Sequence, residues 1–181
     1  MAGSVLVAYA TRSGSTKEVA EAVAATLREH NLEVDVQPMK AVSSLTGYRR
    51  VVLGAPLIMG RWHKDARRFV SRHKAALEEC PVAIFALGPV HNEEKEWQGA
   101  HAQLDKALAR FPWFKPVAIE LFGGRFDLAL LGFPWNFLPG LKKIPSSDIR
   151  DWAAVRAWAS NLDEKFQQKS PELLSRPSVS A

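Results

Sequence analysis

Short apolar runs alternate with amphipathic segments along almost the whole chain, and this alternation restricts the fold more than any other feature of the sequence. Residues 5–9 are continuously apolar, as a central parallel strand buried on both faces must be. Residues 50–55, ending at Pro56, and residues 82–87 and 117–122 read as further strands. Val34 and Val36 alternate with Glu33, Asp35 and Gln37, the pattern of a strand nearer a sheet edge. Between these runs the period changes. In residues 15–29, Val19, Val23 and Leu27 recur four apart while Lys17, Glu18, Glu21 and Arg28 take the other side, which predicts a helix stopped at Asn31. Ala66, Phe69, Val70, His73 and Leu77 mark a second helix face, and residues 98–110 and 151–166 supply two more. Residues 40–48 hold a weak helix or a loop. Strands separated by crossover helices predict an α/β fold, with one parallel sheet of five strands covered on both faces.

The chain has 181 residues, the size of one ordinary domain, and 47% of them are hydrophobic, enough to bury a core. We expect one domain over residues 1–169 and a mobile polar tail over 170–181. The single cysteine, Cys80, excludes an internal disulfide and any metal site built from several thiolates; it points to a reducing, cytoplasmic compartment. No basic, apolar leader precedes the first strand, so no secretory signal is expected. The net charge of +5 favours anionic partners. Basic residues alternate with acidic ones along most helices and no recognition motif accompanies them, so nucleic acid is not expected as a partner.

The loop between the first strand and the first helix carries Thr11, Arg12, Ser13, Gly14, Ser15 and Thr16. Hydroxyls and a glycine at a helix N-terminus, where backbone N–H groups are unpaired and the dipole is positive, suit a bound phosphate. The plainer alternative is that Ser13 or Ser15 only caps the helix. Gly14 lacks the partner glycines of the nucleotide triphosphate loop and of the dinucleotide fingerprint. Carboxylates of a phospho-acceptor site are missing from the ends of the first and third strands.

With Thr11, Ser13, Gly14 and Thr16 at the defined positions of the pattern T/S-x-T/S-G-x-T, the chain resembles the flavodoxin-like family. The resemblance implies a three-layer sandwich of strand order 2-1-3-4-5, with flavin mononucleotide (FMN) bound by its phosphate in the 11–16 loop. The ring would lie over the loops after the third and fourth strands. Those loops offer Pro56, Met59, Gly60 and Trp62, then Leu87, Gly88 and Pro89; Gly124 follows the fifth strand. Trp62 is expected to stack on the ring, or else to anchor the next helix. The Met59–Gly60 peptide can rotate when flavin N5 gains a proton, as a peptide of this loop does in the resembled family. His63 and His91 are conceivable proton donors. No catalytic residue is assigned.

Residues 123–150 exceed a minimal core of this kind. Gly123-Gly124-Arg125-Phe126-Asp127 leads into an apolar stretch with Phe133, Trp135 and Phe137 and a basic end at Lys142 and Lys143. With Asp148-Ile149-Arg150-Asp151-Trp152 and Met59-Gly60-Arg61-Trp62-His63, this resembles the menaquinone-dependent protoporphyrinogen dehydrogenase branch. That resemblance implies an FMN oxidoreductase acting on a porphyrinogen or related planar substrate with a quinone as acceptor, peripheral on the inner face of the membrane. Arg125, Lys142 and Lys143 are its candidates for meeting propionates or lipid phosphates. The extra segment could equally be a loop folded back on the core. An FMN electron carrier docking on protein partners is the alternative function; the basic residues around Arg61 argue against it. The sequence leaves oligomeric state open.

Overall fold

The computed structural model describes residues 4–130, 137, 139, 140 and 145–174. Five parallel strands form the sheet: β1 (Ser4–Tyr9), β2 (Val34–Pro38), β3 (Tyr48–Ile58), β5 (Val82–Leu87) and β6 (Ala118–Phe122). Their order is β2-β1-β3-β5-β6, the expected 2-1-3-4-5 path with one short strand, β4 (Arg61–Trp62), paired antiparallel to β3 off that path. β1 pairs with β2 and β3, so its side chains alternate between two covered faces. Leu6 and Ala8 pack with Leu53, Phe69, Val70 and Leu104 on one side, while Val5 and Val7 pack with Val19, Val23, Phe85 and Phe166 on the other.

Helix α1 (Ser15–Glu29) lies on the second of these faces, together with α5 (Trp152–Ser160) and α6 (Leu162–Leu174). Helices α2 (Lys64–Arg72), α3 (Lys74–Glu78) and α4 (Glu94–Leu108) cover the first. Asn31 stops α1 as expected: at φ 61° its N–H reaches the Arg28 carbonyl, and the Leu32 N–H reaches that of Leu27, the paired bonds of a Schellman end. The 66–77 segment is two helices rather than one, because the chain breaks at His73, at φ −102° and ψ 23°. The 151–166 segment likewise breaks at Asn161. Helix α4 starts at Glu94, a turn before residue 98; that first turn carries Glu94, Lys95 and Glu96, and Trp97 at its end packs against the core. Residues 40–47 form no helix, and Met39, Val42 and Leu45 plug the core from the loop. Helix α6 continues to Leu174, into the stretch expected as tail.

Residues 123–150 leave and rejoin the fold through a two-stranded ribbon that the sequence pattern did not show. β7 (Arg125–Phe126) pairs antiparallel with β8 (Ser147–Asp148), and a 3-10 turn (Leu128–Leu130) follows β7. Phe133, Trp135, Lys142 and Lys143 lie outside the described residues. Among the described residues, no helix is long and apolar enough to cross a membrane.

Gly54 is where β3 lets the Phe85 ring cross it: a Cβ there would fall on the ring itself. Gly54→Ala is expected to lower unfolding stability by about 1–3 kcal/mol through overpacking, measured by urea denaturation, with little change in circular dichroism at low denaturant.

Candidate functional site

β1 ends at Tyr9, and the chain must turn before α1 can pack back on the sheet. Gly14 makes the turn at φ 91°, a conformation L residues rarely adopt, and its N–H donates to the Thr11 Oγ1 at 2.9 Å. The Thr11 hydroxyl therefore shapes the loop. Ser13, Ser15 and Thr16 stand at the start of α1, where the first N–H groups lack helical partners. Thr16 is 1% exposed and its Oγ1 has no hydrogen-bond partner. A buried hydroxyl without a partner costs about 1–3 kcal/mol, and this one stands at a helix N-terminus on a cleft wall.

The cleft it faces encloses about 450 Å³. Arg12, Ser13, Ser15 and Thr16 form one end; Pro56 to Met59 form one wall; Leu87, Gly88 and Val90 form the other; Gly124, Arg125 and Phe126 close the side. All of these segments lie at or just beyond the C-terminal ends of parallel strands. β1 and β3 are neighbours whose connections leave in opposite directions, which makes their boundary the switch point where such sheets bind ligands. Gly124 is required by close approach: its N–H donates to the Pro89 carbonyl at 2.6 Å, and a Cβ would stand 3.2 Å from the carbonyl oxygens of Gly88 and Pro89.

Of the residues singled out from sequence, Arg12, Ser13, Ser15, Thr16, Pro56, Met59, Leu87, Gly88 and Gly124 line this cleft. Gly60 and Pro89 line a hollow on its outer side, and Thr11 lines a neighbouring groove. Trp62 is 1% exposed and packs in the core between the sheet and its covering helices, so it offers no ring face for stacking. That is the anchoring role held open beside stacking. Leu57, Ile58, Val90 and Phe126 complete the walls and were not singled out. An apolar residue after a strand reads the same in sequence whether it faces core or cleft.

Ile58-Met59-Gly60-Arg61 is a tight hairpin turn. Ile58 pairs with Arg61 and Leu57 with Trp62, and both central residues have positive φ, 49° at Met59 and 75° at Gly60. This is the two-residue turn that normally carries Asn-Gly. Met59, 82% exposed, holds a left-handed conformation without a side chain suited to it.

The charges beside the cleft are arranged around Arg150, whose side chain is 3% exposed. Asp148 accepts from its Nε at 2.8 Å and its Nη2 at 2.6 Å, Glu18 accepts from Nη1 at 2.8 Å, and the guanidinium lies 4.8 Å over the Trp152 ring. These hydrogen bonds hold the Asp148 carboxyl below its ordinary range. Arg125, on the cleft wall, stands 3.7 Å from Glu18 and 3.4 Å from Asp127. The ribbon of the inserted segment is thus fastened to the first turn of α1.

Neither histidine lines the cleft. His91 Nδ1 is 2.9 Å from Glu96 Oε1, while Glu96 Oε2 accepts from the Val90 and His91 N–H groups, so the pair ties down the loop after β5. His63 caps α2: its Nδ1 accepts from the Asp65 N–H at 3.2 Å, which a protonated Nδ1 could not do. Burial chiefly pushes His63 below the ordinary imidazole range; Lys40, Lys64 and Arg12 add to this and Asp65 opposes it.

Residues 6–134 match the family model of the Flavodoxin domain. The chain belongs to the flavodoxin domain family. Membership implies flavin binding. Protoporphyrinogen IX dehydrogenase (quinone) of Escherichia coli K12 is 29% identical over 111 residues, 60% of this chain and 61% of that protein. The protein of the same name from Leishmania major is 27% identical over 170 residues, 87% of this chain and 73% of that protein. A flavodoxin from the domain Archaea superposes with a TM-score of 0.57 over 91% of this chain and 99% of its own at 16% identity, a likeness of fold.

Two outcomes follow for this flavodoxin domain. Met59→Asn is expected to raise unfolding stability by about 1 kcal/mol, since asparagine tolerates the left-handed region better, as read by urea denaturation of the flavin-free chain. His63 and His73 are both lowered by burial. The unfolded chain takes up their protons first as pH falls through about 6.5, so the stability they contribute is complete above that pH and is lost below it. His63→Asn keeps a cap acceptor and is expected to reduce that loss between pH 7 and 5, leaving His73's share, in denaturation series at each pH.

Proposed function

We propose that the chain is an FMN-dependent oxidoreductase that oxidises a protoporphyrinogen-type planar substrate and passes the electrons to a quinone. The observation that carries the reading is the unpartnered Thr16 hydroxyl at the start of α1, beside Ser13 and Ser15, on a cleft at the switch point of the sheet. A neutral hydroxyl set of this kind fits a phosphate monoester. Relatives named protoporphyrinogen IX dehydrogenase support the substrate and acceptor.

In this reading Ser13, Ser15 and Thr16 donate to the phosphate oxygens, and Arg12 and Arg125 add positive charge at the cleft edge. Leu57, Ile58, Leu87 and Val90 keep water from the ring. When bound, FMN supplies the redox chemistry, while the protein supplies placement and electrostatics. Among the described residues of the inserted segment, Leu130 and Phe137, 42% and 67% exposed, are large apolar side chains that would meet the quinone or the membrane surface holding it.

Titration of the purified chain with FMN, followed by the flavin absorption bands, tests the reading. Thr16→Val is expected to raise the FMN Kd about tenfold or more, from one lost hydrogen bond to a charged group, without lowering the stability of the flavin-free chain. The loaded wild-type chain is expected to turn over protoporphyrinogen with a quinone. An unchanged Kd in the variant would remove the phosphate from this loop.

A further inference from the structure

The β3–β4 hairpin has a second side. There Arg12, Lys40, Arg61, Lys64 and Arg67, together with Ile58 and Met59, surround a groove of about 750 Å³ that meets the cleft along Arg12, Ile58 and Met59. Five cationic side chains line it against one carboxylate, Asp65, which stands 3.5 Å from Lys40. His63 on the same wall has its Nδ1 occupied as an acceptor. Arg67 is held by its Nε, which donates to the Trp62 carbonyl at 3.2 Å, and its other N–H groups lie outside that bond. Such a concentration of one sign of charge in a concave site raises the local concentration of anions. Guanidinium groups pair with carboxylates through two parallel hydrogen bonds. Apart from Arg12, the wall shared with the cleft is apolar, so a bare inorganic anion would leave Ile58 and Met59 unused.

We propose that this groove docks the carboxylates of an amphipathic planar substrate, whose apolar ring system rests on Ile58 and Met59 while its carboxylates meet Arg61, Lys64 and Arg67. The proposal rests on the oxidoreductase reading above, since the shared wall brings such a ring to the edge of the cleft. It assigns substrate selection to the hairpin and α2 of the core fold. Arg61 and Lys64 are exposed, and neither lines the cleft.

The test compares binding of protoporphyrin IX, a dicarboxylate, with that of its dimethyl ester, both in the same dilute nonionic detergent, by porphyrin fluorescence. The proteins are the FMN-loaded wild type and the double variant Arg61→Gln/Lys64→Gln, with FMN affinity titrated separately on each. The acid is expected to bind the variant at least tenfold more weakly than the wild type. The ester should bind both proteins equally and weakly, and FMN affinity should not change. Equal affinity of the acid for both proteins, or an ester as tight as the acid on the wild type, overturns the groove even where FMN binds. Failure to take up FMN with the porphyrin difference intact overturns the redox reading and leaves the carboxylate groove standing.

Discussion

Because all five strands of the main sheet are parallel, every β-to-α loop leaves the same edge, and the cleft is a consequence of that one constraint. The 11–16 loop, the end of β3 at 56–59 and the 87–90 segment are far apart in sequence and meet only because β1, β3 and β5 lie side by side. The strands are held in place from both faces. β1 is wholly buried along residues 5–8, so a slip of its register would carry Leu6 and Ala8 out of one core and Val5 and Val7 out of the other. The site is thus carried on strands fixed from both faces.

The inserted segment depends on a different force. Its two ends are joined by two residue pairs of ribbon, too little to hold alone, and the buried Arg150 supplies the rest by bridging Asp148 on β8 and Glu18 on α1. A guanidinium taken from water needs all of its partners, and here they include the Ser15 carbonyl at 3.4 Å, within the loop that faces the cleft. The same contacts that dock the insertion thus steady the start of α1. Arg125 is set on the cleft wall by the same cluster.

The hairpin between β3 and β4 divides the region into an apolar cleft and a basic groove, with Ile58 and Met59 on both sides. Its tip combines a left-handed Met59 with Gly60, and its base buries Trp62. A strained, exposed tip on a fixed base is a suitable place for a ligand to be sensed by backbone as well as side chain.

The strands, the helical layers and the stop at Asn31 were legible in the sequence, because each rests on a local signal, a change of period or a left-handed cap, while the strand order came from the family resemblance carried by the 11–16 loop. Helix breaks at His73 and Asn161 were not, since the apolar period runs through both. Trp62 shows the limit most clearly. A tryptophan in a ligand-side loop reads as a stacking ring, yet the pairing of Leu57 with Trp62 turns it into the core. The sequence by itself determined which segments are strands and which are helices, and that hydroxyls and a glycine stand at the start of α1. Only the tertiary structure decided which side chains face the cleft, that the insertion is fastened through Arg150, and that five scattered cations share one groove. Those outcomes are set by pairing and burial between distant segments, which no local pattern encodes.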